Sequence, residues 1–146
     1  MYKFEPRDPD YKAAVERFVA AQAYLTLLGV QLAHLVPGQV DYRIPYRADI
    51  GQQNGFFHGG VIGGVAEAVM GAAARTLVTA DRNVVGAEYK INLLSPALGP
   101  AIIARGHVVK PGRTLIICRA DVFVINDDGT EGLCAIAQGA MAVVAA

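Results

Sequence analysis

The sequence has 146 residues, a formal net charge of zero, 53% hydrophobic residues and 18% charged residues. The length fits a single domain, residues 1–146, and the lack of a basic excess argues against a nucleic-acid-binding protein. Because this composition is apolar for a soluble chain, we expect other subunits to cover part of the surface, as in a homo-oligomer.

The N-terminus and the cysteines indicate the compartment. Met1–Asp10 carries charges and prolines and lacks the apolar core of a signal peptide. Cys118 and Cys134 lie in apolar, strand-like runs outside any metal-ligand spacing, which predicts two buried, reduced thiols. We therefore expect a cytoplasmic protein with neither a metal nor a separate cofactor.

The first third of the chain predicts one helix and two strands. Apolar residues recur at three- and four-residue steps over Tyr11–Leu28, which is typical of an amphipathic helix. Strands are predicted over Val30–Val36 and Gln39–Arg47, with the turn dipeptide Pro37-Gly38 between them. A loop, Ala48–Phe57, leads into the next segment.

That next segment, Gly59–Val78, is apolar except for Glu67 and Arg75. Its length is close to the ~20 residues that span a bilayer. However, a glutamate near the middle is costly in lipid, and the chain has no second such segment. We therefore predict a helix buried inside a soluble protein, with no membrane partner.

The last half of the chain predicts four strands, at Val84–Leu94, Ala101–Lys110, Thr114–Ile125 and Leu133–Val144. Short turns rich in Gly, Pro, Asn and Asp separate them, which favours an antiparallel meander. A helix that is apolar on nearly every face needs burial on nearly every side. The pattern predicts an α+β fold in which an antiparallel sheet wraps around one long apolar helix.

Gly59 and Gly60 lie where the loop becomes the helix. A helix N-terminus offers unpaired N–H groups and a partial positive charge, and glycine lets a ligand approach the backbone closely. A carbonyl oxygen at this point would be polarised, as would the oxyanion of a tetrahedral intermediate. The alternative is that these glycines only shape a turn or allow close packing.

Glu67 is a lone carboxylate in the apolar helix, and burying it without a partner is expensive. Burial would raise its pKa toward the range of a general base. The alternative is a carboxylate held by an arginine for structural reasons. Gly60 and Glu67 are seven residues apart, or ~10 Å along a helix, so one chain cannot easily bring both to one carbonyl. A shared substrate therefore predicts a dimer with two equivalent sites.

The string His58-Gly59-Gly60, with Gln52 six residues before it and Glu67 nine residues after His58, resembles the hotdog-fold thioesterases of the phenylacetate-pathway and 4-hydroxybenzoyl-CoA type. The order of helix, two strands, buried helix and four strands also resembles that family. The resemblance implies a hotdog fold and an enzyme that hydrolyses an aryl- or medium-chain acyl-CoA. It also implies a homodimer that pairs into a dimer of dimers.

The resemblance also implies residue roles. Gly59 would polarise the thioester carbonyl, and Glu67 of the other subunit would be the nucleophile or general base. Gln52 would orient water or contact the thioester, and His58 would organise the loop. Further substrate contacts are expected at Gly60, Asn54 and Phe57.

The turn Lys110-Pro111-Gly112-Arg113-Thr114 offers two cations and backbone N–H groups that suit the phosphates of coenzyme A. An ordinary solvated hairpin turn is the equal alternative. Arg75 and Lys90 are weaker candidates for the same contact.

Two rival functions remain open. The first is a hotdog hydratase or dehydratase acting on acyl thioesters, and the second is a non-catalytic acyl-CoA-binding protein. Release of free thiol distinguishes hydrolysis from both.

Overall fold

The computed structural model describes residues 3–146, which form three α-helices, one short 3-10 helix and six β-strands. In chain order they are α1 (Tyr11–Ala20), α2 (Ala23–Leu28), β1 (Gln31–Val36), β2 (Gln39–Pro45), the 3-10 helix (Ala48–Ile50), α3 (Gly59–Arg75), β3 (Arg82–Leu93), β4 (Ala101–Pro111), β5 (Leu115–Ile125) and β6 (Glu131–Ala145).

The six strands form one antiparallel sheet in the order β1-β2-β4-β5-β6-β3. Strands β2, β4 and β5 alternate between buried and more accessible residues, so one face of the sheet is apolar. The helix α3 packs on that face and contacts strands from both halves of the sheet. This confirms the predicted architecture.

Most of α3 is buried because small residues let it lie close to the sheet. Gly106 of β4 lies under Val69, where a Cβ atom would come within 2.6 Å of the Val69 carbonyl oxygen. None of the helices in residues 3–146 is long and apolar enough to cross a membrane. Cys118 and Cys134 are buried free thiols, as predicted.

The prediction of one helix over Tyr11–Leu28 was wrong in one respect. The backbone of Gln22 is extended, with φ −90° and ψ 103°, and it separates α1 from α2. This change of direction lets Leu25 and Leu28 enter the core, at 1% and 3% exposure. The helix α2 ends at Gly29, whose φ of 69° is the left-handed conformation that glycine adopts readily.

Candidate functional site

His58 begins α3 as its N-cap. Its Nδ1 atom accepts a hydrogen bond of 2.8 Å from the Gly60 N–H. Its backbone oxygen accepts bonds from Val61 at 2.9 Å and Ile62 at 3.1 Å. The side chain therefore completes the first helical turn, and Nδ1 is occupied by the backbone.

These bonds leave one donor of the first turn free. The N–H groups of Gly60, Val61 and Ile62 are all bonded to His58, whereas the Gly59 N–H has no partner within residues 3–146. The free donor also stands at the positive end of a 17-residue helix. Gly59 can therefore bind a carbonyl oxygen or an oxyanion, but the Gly60 N–H cannot do so while His58 caps the helix.

The loop before α3 is closed by Gln52. Its N–H donates to the Phe56 oxygen at 2.8 Å, its own oxygen accepts from Gly55 at 3.0 Å, and its side-chain oxygen accepts from the Asn54 N–H. Gly55 has a φ of 83°, which this turn requires. No hydrogen bond joins Gln52 to Glu67 in the described part of the chain, so Gln52 and Asn54 serve the turn in this protomer.

Phe57, an expected substrate contact, lies in the core of the protein instead. Its side chain is 2% exposed and packs edge-on against Tyr46, with ring centroids 5.2 Å apart. Its N–H donates to the Ala97 oxygen at 3.1 Å. Phe57 thus anchors the loop in the core, because a large aromatic side chain gains more from burial than from lining an open cleft.

Glu67 is half-buried on α3, and its carboxyl group lies against Gly86 of β3. A Cβ atom at position 86 would be 2.2 Å from Glu67 Oε1, so a larger residue there would require the carboxylate to move. Burial raises the pKa of Glu67. Within residues 3–146 Glu67 forms no ion pair, which excludes an arginine of the same chain as its structural partner.

An open pocket of about 500 Å³ adjoins the Glu67 carboxylate. Tyr24 of α2 and Tyr89 of β3 flank it, next to Gly64 and Gly86. Burial raises the pKa of Tyr24, and the nearby Tyr89 adds to the effect. A carboxylate with a raised pKa at an accessible aromatic pocket can take a proton from water or attack an electrophilic carbon.

Glu67 and Gly59 lie on one continuous helix, eight residues apart, so ~12 Å separates them along its axis. Strand β3 follows the helix in the opposite direction. Leu93 lies against Gly59, where a Cβ atom would be 2.9 Å from Leu93 Cδ1, and Gly86 lies against Glu67. The two chemical groups are therefore separate within one chain.

The turn after β4 supports only part of its predicted role. The Gly112 N–H donates to the Lys110 oxygen at 3.1 Å, so it is not free for a phosphate, and Lys110 lies outside the adjoining pocket. Arg113 and Thr114 do line that pocket, of about 370 Å³.

The same pocket receives two more arginines, Arg7 and Arg82, from elsewhere in the chain. The two weaker phosphate candidates lie elsewhere. Arg75 is 9% exposed, and burial lowers its pKa while the negative charge of Asp8 opposes that shift. The Lys90 ammonium donates to Asn92 Oδ1 at 2.6 Å.

Sequence analysis did not identify Gly86, Tyr24 or Tyr89 as neighbours of Glu67. An isolated glycine inside a strand often marks a bulge or a close approach, and β3 changes register between Gly86 and Glu88. That signal could have singled out Gly86. The tyrosines carry no comparable local signal.

The sheet wrapped around α3 is the hotdog fold, and known proteins share it. A thioesterase family protein from Silicibacter pomeroyi superposes with a TM-score of 0.90 and 33% identity, over 93% of this chain and 99% of that chain. The PaaI protein from the phenylacetic acid degradation operon of E. coli has a TM-score of 0.79, at 15% identity over 92% and 93% of the two chains. At that identity it shows the fold alone.

The sequence pattern of the thioesterase superfamily matches residues 54–131. A predicted esterase from Saccharolobus solfataricus is 31% identical over 86% of this chain and 87% of its own length. Another from Halobacterium salinarum is 28% identical over 81% of each chain. This chain belongs to the thioesterase superfamily.

Proposed function

We propose that this protein hydrolyses an acyl-CoA thioester, with an aryl or medium-chain acyl group, to the free acid and CoA. The observation that carries the proposal is Glu67, a half-buried carboxylate without a cationic partner in residues 3–146 that opens on an aromatic pocket. The finer assignment, to the phenylacetate-pathway and 4-hydroxybenzoyl-CoA type, rests on the resemblance at Gln52, His58-Gly59-Gly60 and Glu67.

In this proposal Gly59 and Glu67 act on the same thioester. The free Gly59 N–H binds the carbonyl oxygen and stabilises the negative charge that develops on it. Glu67 either removes a proton from the attacking water or attacks the carbonyl carbon itself. The C–S bond of the tetrahedral intermediate then breaks and CoA leaves as the thiolate, which takes up a proton from protonated Glu67 or from water. If Glu67 was the nucleophile, the product of this step is an acyl–Glu67 anhydride, which water cleaves to the free acid and the Glu67 carboxylate. His58 holds the first turn of α3 so that the Gly59 donor stays in place.

The separation of Gly59 from Glu67 supports a homodimer. Strand β3 is an edge of the sheet with exposed apolar side chains, among them Val85 at 51% and Leu93 at 57%. An edge of this kind favours pairing with another strand. If two β3 strands pair antiparallel about a twofold axis between Tyr89 and Lys90, Gly86 of one chain lies opposite Leu93 of the other. Glu67 of one subunit then approaches Gly59 of the other.

The pocket between Arg113 and Arg82 supports coenzyme A as the leaving group. The guanidinium groups of Arg7, Arg82 and Arg113 and the hydroxyl group of Thr114 suit phosphate oxygens, whereas the Thr79 hydroxyl already donates to Asp81 Oδ1 at 2.6 Å. This pocket opens near the end of β3 that is remote from Leu93. The tyrosines at the Glu67 pocket suit an aromatic or apolar acyl group.

The test is release of free thiol from a panel of aryl-, short- and medium-chain acyl-CoA esters, combined with variants at Gly59. Gly59→Pro deletes the proposed donor but suits the first helical position, and His58, at φ −64° and ψ 137°, already has the conformation that precedes proline. We expect kcat to fall by about 10²–10³-fold, as for loss of one oxyanion donor.

Gly59→Ala is the matched control, because it keeps the N–H and places a similar Cβ atom against the flexible end of Leu93. It should retain most of the activity. Equal activity of the proline and alanine variants would contradict the role of Gly59. Tight binding of acyl-CoA without thiol release across the panel would favour a binding protein, and hydration of an enoyl-CoA without thiol release would favour a hydratase.

A further inference from the structure

Tyr42, in the middle of β2, is a fully buried phenol without a hydrogen-bond partner. Its residue is 0% exposed, and its hydroxyl oxygen is one of two such buried side-chain atoms in residues 3–146. Buried tyrosine hydroxyl groups normally form a hydrogen bond, because leaving one unpaired is costly. The position of Tyr42 therefore calls for a partner that it meets during function.

The contacts between β2 and α3 place Tyr42 level with Glu67. The Gly38 N–H donates to Thr76 Oγ1 at 2.7 Å at one end, and Tyr46 packs on Phe57 at the other. Tyr42 lies four residues from Gly38 and four residues from Tyr46, which flank β2, or ~13 Å along extended backbone from each. Phe57 and Thr76 adjoin the two ends of α3, and Glu67 is eight residues from each terminal residue of that helix, Gly59 and Arg75, or ~12 Å.

The side chain of Tyr42 also points toward α3, the helix that carries Glu67. The buried residues of β2 are Val40, Tyr42 and Ile44, which point to the face of the sheet that covers α3. Burial raises the pKa of the Tyr42 phenol, and the negative charge of Glu67 adds to the effect. Glu67 in turn accepts no hydrogen bond from any side chain or backbone group in the described part of the chain.

We propose that Tyr42 is a positioning residue for Glu67: its phenol, unpaired in this structure, donates a hydrogen bond to the carboxylate when Glu67 is ionised, and so fixes the orientation of that carboxylate. The inference rests on the proposed function of Glu67 in thioester hydrolysis. Tyr42 has no exposed surface, so it does not touch the substrate. It favours the charged form of Glu67 and so opposes the effect of burial on that carboxyl group.

The test is Tyr42→Phe, which removes only the hydroxyl oxygen. The pKa of Glu67 is measured by NMR on protein with ¹³C-labelled glutamate side chains, and Glu67→Gln assigns the signal among the five glutamates. We expect Tyr42→Phe to raise the pKa of Glu67 by about one unit, because a donor to the charged form is lost. Tyr11→Phe, on α1, is the matched control and should leave that pKa unchanged.

The same shift should appear in the kinetics of thioester hydrolysis. The acid limb of the kcat/KM profile should move to higher pH by the same amount in Tyr42→Phe, with KM nearly unchanged. A folded Tyr42→Phe protein with the wild-type Glu67 pKa would overturn the proposal, whatever its Tm. The NMR titration needs no turnover, so a shifted pKa in a protein that hydrolyses no acyl-CoA would contradict the proposed function alone.

Discussion

Glu67 lies half-buried beside Gly86, and burial raises the pKa of its carboxyl group. The folded protein therefore binds this proton more tightly than the unfolded chain does. Between the ordinary glutamate pKa and the raised one, the folded state carries more protons, so stability falls as pH rises through that interval. The proposed reaction needs Glu67 in its ionised form, and that form lowers the free energy of unfolding at neutral pH.

We predict that Glu67→Gln is more stable than the wild type above the raised pKa and equally stable below the ordinary one. The gain should be less than about 1 kcal/mol, because water screens a half-exposed carboxylate. Urea unfolding at about pH 4 and about pH 8 measures it. Glu16→Gln, at an exposed position of α1, is the control and should show no such difference between the two pH values. A variant destabilised at both would contradict the prediction.

At the scale of elements, the contact between α3 and β4 depends on one glycine. A Cβ atom at Gly106 would lie 2.6 Å from the oxygen and 2.8 Å from the carbonyl carbon of Val69. Because these are backbone atoms of the helix, α3 would have to move away from the sheet. The register of β2, β4 and α3, and with it the level of Glu67, depends on this contact.

We predict that Gly106→Ala lowers the free energy of unfolding by about 1–3 kcal/mol through overpacking. Gly71→Ala is the matched control, since a Cβ atom there would meet only Met141 Sδ, at 3.9 Å. This control should raise stability by up to about 1 kcal/mol, because alanine is the better helix former. Urea unfolding compares the two variants, and a stable Gly106→Ala protein would show that α3 is less closely fixed than the structure indicates.

Local sequence patterns predicted the elements well, with errors where the reason lies outside the segment. The turn at Pro37-Gly38 and the apolar length of α3 are local features, and both were predicted correctly. The break at Gln22 was missed because it arises from the burial of Leu25 and Leu28 against the rest of the core. Likewise α3 ends at Arg75, before the predicted Val78, and Thr76 there binds the Gly38 N–H.

For the whole molecule, the proposed dimer makes two sites that each combine Gly59 of one chain with Glu67 of the other. We predict that mixing inactive Glu67→Gln chains with inactive Gly59→Pro chains restores activity. Half of the randomly formed dimers are mixed and each holds one intact site, so about a quarter of the wild-type activity should return. Thiol release after joint refolding measures it.

Two controls define the result. The Glu67→Gln protein refolded alone should stay inactive, and so should the Gly59→Pro protein refolded alone. If each site lay within a single chain, every site in the mixture would carry one substitution and no activity would return. The shared site is therefore contradicted if the mixture forms dimers, as measured by sedimentation, but regains no activity.

The sequence by itself determined the elements, the buried helix with its lone carboxylate, and the glycines at the helix start, because these depend on short-range periodicity and on single residues in apolar surroundings. Only the tertiary structure decided which groups surround Glu67. Tyr24 of α2, Tyr42 of β2, and Gly86 and Tyr89 of β3 come from three different elements, and no local pattern connects the three. They meet at Glu67 because the sheet curls around α3 and brings residues that are far apart in the chain to one carboxylate.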